Sequence, residues 1–251
     1  MAVLTESELR RELMNKTVRT YEIGAGTVPT PAAMDFLKER GITPIFEREP
    51  GAVKDAAFKT LPPGSFIGPN GEALDKKPEG LTHLNGRNLV AKNHPVIRFR
   101  GKLDILCAKI ISAQLIGADL GNGDYVSDLE EILDFTRGLL PAELRGEPVP
   151  EFRLCSWDAQ QIKERSHNPV KYFGHRHMKS TWKMGPLTVA LNELRAIVRE
   201  TELSAAEAFQ DKSGQTQRED IIMALNRLSS LFYVLMFKYL PEGFVPQHSG
   251  I

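Results

Sequence analysis

A mainly α-helical protein is predicted, a helix bundle with a small N-terminal α/β appendage and a long loop between them. Three observations predict it. Apolar residues recur at three- and four-residue steps over many turns in the C-terminal two-thirds. Pro and Gly cluster densely over about 47–79. Short helix-start signals flank one candidate strand before that. These divide the chain into 1–46, a Pro/Gly-rich loop or linker at 47–79, and a bundle domain at 80–251.

In the first zone, Thr5 and Glu8 have capping-box spacing, and Thr30-Pro31 reads as N-cap and first residue of a helix that stops at Gly41. Arg19 to Ile23 between them reads as a strand, and no internal repeat is apparent. The second zone, EPGAVKDAAFKTLPPGSFIGPNGEALDKKPEG, lacks periodicity and is expected to be loop.

Four helices follow. Phe99, Leu103, Leu106, Ile110 and Ala113 place one stripe on a helix running from about Phe99 to Ile116. A second opens at Ser127, with Glu130 completing a capping box, and carries Leu129, Ile132, Leu133 and Leu139. Leu187, Leu191, Leu194 and Val198 define a third; Ile221, Leu225, Leu228, Phe232, Leu235 and Tyr239 define the last, ending before Pro241 and Gly243. Leu89 lies in the one short strand-like stretch of this zone. Amphipathic stripes of this kind bury against one another, which makes a bundle.

Composition excludes several classes. Lys plus Arg number 32 and Asp plus Glu 32, so no whole-molecule field recruits nucleic acid or an anionic membrane, and any anion site is local. The charged first residues predict no secretory leader, and no apolar run is expected to span a bilayer. Cys107 and Cys155 are too few for a disulfide framework or a metal knuckle, which fits a reducing cytosol.

One polar row departs from a plain bundle. Asn192, Arg195, Arg199 and Glu202 step by three, four and three, sharing a helix face beside the apolar stripe. The same spacing describes a solvated charged face. The next helix sets Asn226, Ser229 and Tyr233 along its own stripe, with Arg227 and Ser230 adjacent. Two polar rows at neighbouring seams point to an anion or nucleotide site. Gly80 to Gly86, with Thr82 inside it and Lys92 beyond, has the residues of a phosphate cradle but no Walker pattern, and a generic turn accounts for its glycines equally.

Together these segments carry a resemblance. LNELRAIVRETEL (191–203), LNRLSSLFYVL (225–235) and GLTHLNGRNLVAKNHPVIRFRGKLD (80–104) resemble, in order and spacing, the motifs of the propanediol-type corrinoid adenosyltransferases. The block from His167 through Gly174 to Lys183-Met-Gly185, with LTESELRREL (4–13) and TPAAMDFLKERGI (30–42), is similar to the ethanolamine-utilisation branch.

The resemblance implies an enzyme that moves the adenosyl group of ATP to cob(I)alamin, with magnesium on the triphosphate, and supplies ethanolamine ammonia-lyase. It implies a cytoplasmic homo-oligomer, dimer or trimer, with ATP between subunits. Partners would be microcompartment enzymes or shell and a flavoprotein reductase, with no nucleic acid and no membrane. By position, Thr82, Gly86, Lys92, Arg199, Glu202 and Asn226 would serve ATP; Arg199, Lys92, Asp104 and Arg195 would be the catalytic set, with Arg195 pairing Asp104 across a subunit boundary. Tyr172, Phe173 or Trp182 would either supply apolar bulk beneath the corrin or close the core. Some members of the branch carry a His and Cys cluster before the THL segment. This chain has no Cys there, and its His83, His94, His175 and His177 lack partners at ligand spacing, so no protein-bound transition metal is expected. The rival readings are a non-catalytic microcompartment scaffold and a histidine-based bundle metalloprotein, which would need Glu-x-x-His motifs absent here.

Overall fold

The structure is a computed structural model, and it describes residues 2–14, 18, 20–23, 27–46, 65–211 and 214–244. The chain divides into two compact units, with the boundary between Pro62 and Pro63.

In the first unit two strand–helix–strand runs follow one another, β1 (Ala2–Leu4), α1 (Glu6–Glu12) and β2 (Thr20–Ile23), then β3 (Thr27–Pro29), α2 (Pro31–Glu39) and β4 (Thr43–Phe46). Both cap signals hold. Thr5 and Glu8 exchange bonds as a capping box, and Thr30 Oγ1 accepts from Ala33 N with Pro31 leading α2. β1 pairs with β3 and β2 with β4, both parallel. Thr5 and Thr30 therefore cap helices that leave paired strands in equivalent ways, a duplication that the sequence does not display. Leu9, Leu13, Phe36 and Leu37 form its core. The Arg19 end of the expected strand, and 47–64 of the expected loop, lie outside the described residues.

The second unit begins with a four-stranded sheet in the order β6-β5-β8-β7, built from β5 (Phe66–Ile67), β6 (Ala73–Leu74), β7 (Leu81–Asn85) and β8 (Asn88–Ala91). Strands thus occupy part of the stretch whose Pro and Gly content predicts loop. The supposed phosphate cradle is the β7–β8 hairpin, with Gly86 at φ +50 in its turn.

The bundle comprises α3 (Pro95–Asp119), α4 (Gly123–Arg145), α5 (Ala159–His167), the short α6 (Pro169–Phe173), α7 (Gly185–Phe209) and α8 (Glu219–Lys238), with a two-residue hairpin, β9 (Arg153–Leu154) and β10 (Trp157–Asp158), leading into α5. The predicted stripes are the core: Phe99, Leu106, Ile110, Leu129, Leu191, Val198, Leu225, Leu228 and Phe232 are all buried, while Leu187 and Tyr239 at the stripe ends are only partly so. Two starts are earlier than predicted. His94 caps α3 ahead of Pro95, and Asn122, accepting from Tyr125 N, opens α4 one turn before Ser127. Glu130, assigned by sequence to a capping box, instead accepts from Gln114 on α3.

By length and composition α8 is apolar enough to cross a bilayer, contrary to the sequence expectation, but most of it is buried among the other helices, so its apolarity is that of a core helix.

α3 and α7 are laced along their outer edge by Arg98–Glu207, Lys102–Glu200 and Lys109–Glu193. Arg100 reaches the other way. It makes a bidentate pair with Glu143 of α4 at 2.8 and 3.0 Å and donates to the carbonyls of His83 and Leu84. That one guanidinium fixes the β7–β8 hairpin to the bundle.

Candidate functional site

A cleft opens along the seam between α7 and α8, closed on its other sides by α5 and by the segment 175–181. It has two adjoining lobes of 580 Å³ each that share His167, Arg199, Ser229 and Ser230. Helical spacing explains the lining. Asn192, Arg195, Arg199 and Glu202 fall one turn apart on the flank of the buried Leu191, Leu194 and Val198 stripe, and Asn226, Ser229 and Tyr233 fall likewise beside Leu225, Leu228 and Phe232. The core therefore holds the two polar rows facing one gap.

Within the first lobe, Arg195 Nε and Nη2 donate to Asn192 Oδ1 at 3.3 and 3.1 Å, and Ser180 Oγ donates to the same oxygen at 3.2 Å. His177 Nδ1 and Tyr233 Oη are hydrogen-bonded at 2.9 Å. These side chains tie segment 175–181 to both α7 and α8. Burial, and then the neighbouring Arg199 charge, pull Arg195 below the usual arginine range, while burial pushes Tyr233 up. In the second lobe Asn226 Nδ2 donates to Glu202 Oε1 at 3.1 Å, which orients both side chains. Neither Arg195 nor Arg199 makes an ion pair among the described residues. Two adjacent guanidiniums, one half-buried and neither neutralised, are disposed to take an anion.

The cleft thus gathers Arg195, Arg199, Glu202 and Asn226 from the sequence-derived set. Thr82, Gly86, Lys92 and Asp104 do not line it. Thr82 pairs with Val90 in the hairpin, and Lys92 Nζ meets the fully exposed Glu79 carboxylate at 3.0 Å. Asp104 is exposed on α3, and within the chain Arg195 bonds to Asn192 rather than to it.

The three aromatic candidates separate. Phe173 stacks on Phe237 at 4.7 Å and 5°, packed against the core. Tyr172 lies beneath the Arg165 guanidinium, and Trp182 is 81% exposed. None lines the cleft. Of the histidines, His83 Nδ1 donates to Gly86 O and His94 Nδ1 accepts from Val96 N. Among the described residues no group of three His, Cys, Asp or Glu is placed to hold a metal.

Lys163, His167, Met178, Ser180 and Met236 line the cleft unforeseen. His167, Met178 and Ser180 fall within the block that runs from His167 to Gly185, but nothing in their spacing marked them; Met236 sits on α8 off its predicted stripe, and Lys163 lies on α5, for which no stripe was read.

The cobalamin adenosyltransferase family model matches residues 73–239. The corrinoid adenosyltransferase EutT of Escherichia coli (strain K12) is 30% identical over 245 residues, covering 93% of this chain and 90% of the relative. The corrinoid adenosyltransferase EutT of Salmonella typhimurium is 29% identical over the same length and coverage. Among solved structures, a variant PduO-type ATP:corrinoid adenosyltransferase from Lactobacillus reuteri, complexed with cobalamin and ATP, matches at 20% identity, covering 65% of this chain and 92% of that one, with a TM-score of 0.49. A second variant of that enzyme, complexed with ATP, matches at 19% identity over 64% and 88%, with a TM-score of 0.46. With most of its bundle unit matched by the family model, and nearly its whole length by curated relatives, the chain belongs to the cobalamin adenosyltransferase family.

Proposed function

We propose that this protein transfers the 5′-deoxyadenosyl group of ATP to cob(I)alamin, with the nucleotide's phosphates bound in the α7–α8 cleft. The observation that carries the reading is Arg199, which lines both lobes of the cleft without a carboxylate partner among the described residues, with Arg195 one turn away. In the reaction the Co(I) electron pair attacks C5′, a Co–C bond forms, and the C5′–O bond breaks. The oxygen leaves with its electron pair as part of inorganic triphosphate, and cobalt becomes formally Co(III). Negative charge grows on the leaving oxygen, and fixed guanidiniums beside it stabilise that growth without reorganising. The corrinoid supplies the nucleophile; the protein supplies alignment and field.

Arg199 is assigned to the phosphates, with Asn226 and Glu202 orienting the second lobe and magnesium accompanying the triphosphate. Thr82, Gly86, Lys92 and Asp104 are assigned to the cleft of a neighbouring copy in a homo-oligomer, where Asp104 would meet Arg195. The Lys92–Glu79 pair is solvent-exposed and therefore weak, so a phosphate can replace the carboxylate. The ethanolamine pathway is the assigned consumer of the product, within or beside a cytoplasmic microcompartment and fed electrons by a flavoprotein reductase.

The test is anaerobic turnover with chemically reduced cobalamin, ATP and magnesium, following loss of Co(I) absorbance and appearance of light-sensitive adenosylcobalamin. Product that vanishes in Arg199→Ala and Lys92→Ala supports the reading. ATP binding without product would instead favour a non-catalytic scaffold.

A further inference from the structure

The block that starts at His167 has no part in the reaction as assigned, yet it folds onto the same cleft. α5 ends at His167, α6 turns back through Gly174, and the returning segment delivers His177 to the opposite side. α5 packs against α8, which puts Lys163 in the second lobe and His167 at the junction of the two.

The charges there differ from those that lace the bundle's outer faces. Lys102, Lys109, Arg98, Lys171 and Lys238 each meet a carboxylate within 3.1 Å. Among the described residues, the Lys163, Arg199 and Arg227 side chains make no ion pair or hydrogen bond, and the His167 ring makes none either. All four line the second lobe, and its only carboxylate, Glu202, is engaged by Asn226. In a protein that balances 32 basic against 32 acidic residues, this lobe thus gathers three basic side chains without an ion pair, and an imidazole beside them, on two walls.

We infer that Lys163 and His167 form the second wall of a polyphosphate clamp. They face Arg199 and Arg227 across the second lobe, and they grip the phosphate chain of the nucleotide and then the inorganic triphosphate it leaves. This rests on the nucleotide reading above. The Lys163 ammonium and an imidazole N–H of His167 on α5, with forked guanidiniums on α7 and α8, would hold a flexible polyanion from both sides, which one helix face cannot do.

The probe is inorganic triphosphate, with binding to the full chain measured calorimetrically and KM for ATP measured in turnover. Lys163→Met and His167→Gln should each weaken triphosphate binding about tenfold, and the double variant about a hundredfold, each lost contact acting separately. KM for ATP should rise while kcat changes little, and His167→Arg should recover most of the loss. Lys171→Met, which removes a lysine of the same block that pairs with Glu164, should bind triphosphate as the unaltered protein does. Unchanged binding in the double variant, with Arg199→Ala weakened, overturns the second wall but leaves the nucleotide reading standing. Unchanged binding in both overturns the two together.

Discussion

Arg195 is tethered by Asn192, a neutral side chain one helical turn away, through two bonds to the same amide oxygen. A carboxylate in that place would fix the guanidinium equally well while cancelling its charge. Asn192→Asp is therefore expected to leave the fold intact and raise KM for ATP by about tenfold or more, since it adds a negative charge to the lobe that Arg199 lines for the phosphates. Asn192→Ala, which frees the guanidinium but keeps its charge, should do less. Steady-state kinetics on the two variants separate positioning from charge.

Phe173 and Trp182 are expected to behave oppositely. Phe173→Ala removes a ring stacked on Phe237 and should cost about 2–3 kcal/mol, below the 3–5 typical of a fully buried ring, read by denaturant unfolding. Trp182→Ala touches no core and should leave stability within about 0.5 kcal/mol. If an aromatic crowds the lower corrin face, the base-off Co(II) spectrum should fail in Trp182→Ala and persist in Phe173→Ala. The converse would return Phe173 to the site.

Arg100→Ala should be among the most destabilising single changes, because it strands Glu143, whose side chain is only 9% exposed, without its partner. A loss of about 3 kcal/mol is expected. Glu143→Gln, which keeps a partner for the guanidinium, should cost less. Hydrogen exchange at Thr82 to Val90 should accelerate in Arg100→Ala, since the two carbonyl contacts holding the hairpin disappear with it.

Asp220 supplies a pH dependence of stability. Hydrogen bonds from Arg218, opposed by burial and helped by Val149 N–H, hold its carboxyl below the usual range. As pH falls the unfolded chain takes up this proton first. The stabilisation is therefore complete above about pH 5 and is lost as pH drops through the folded value. The Tm gap between the unaltered protein and Asp220→Asn should be widest near neutrality and close as pH falls through the carboxyl's lowered folded-state value. A gap independent of pH would assign the effect to packing.

The helix stripes were legible because burial repeats: Leu225, Leu228, Phe232 and Leu235 are core for the reason their spacing gives. The polar row on α7 was legible for the same reason, displaced by one position around the helix. Of the β7–β8 hairpin only β8 was, as the strand-like stretch at Leu89; β7 was not, because Thr82, His83 and Asn85 give it no alternating apolar face. Nor was the α5 wall, whose Lys163 and His167 follow a single buried aliphatic side chain, Ile162. What brings these residues to the cleft is tertiary packing, which local periodicity does not encode.

The bonds of His177 to Tyr233 and of Ser180 to Asn192 have a consequence for how this protein can diverge. A strand of chain pinned to two helices at positions three residues apart acts as a ruler. Side chains along it can change while the anchors remain, but one residue inserted or deleted between His177 and Ser180 would put one anchor out of register with the other. Surface segments usually drift in length more readily than in composition. Here the order is reversed, and the length of the segment is the quantity selection must hold.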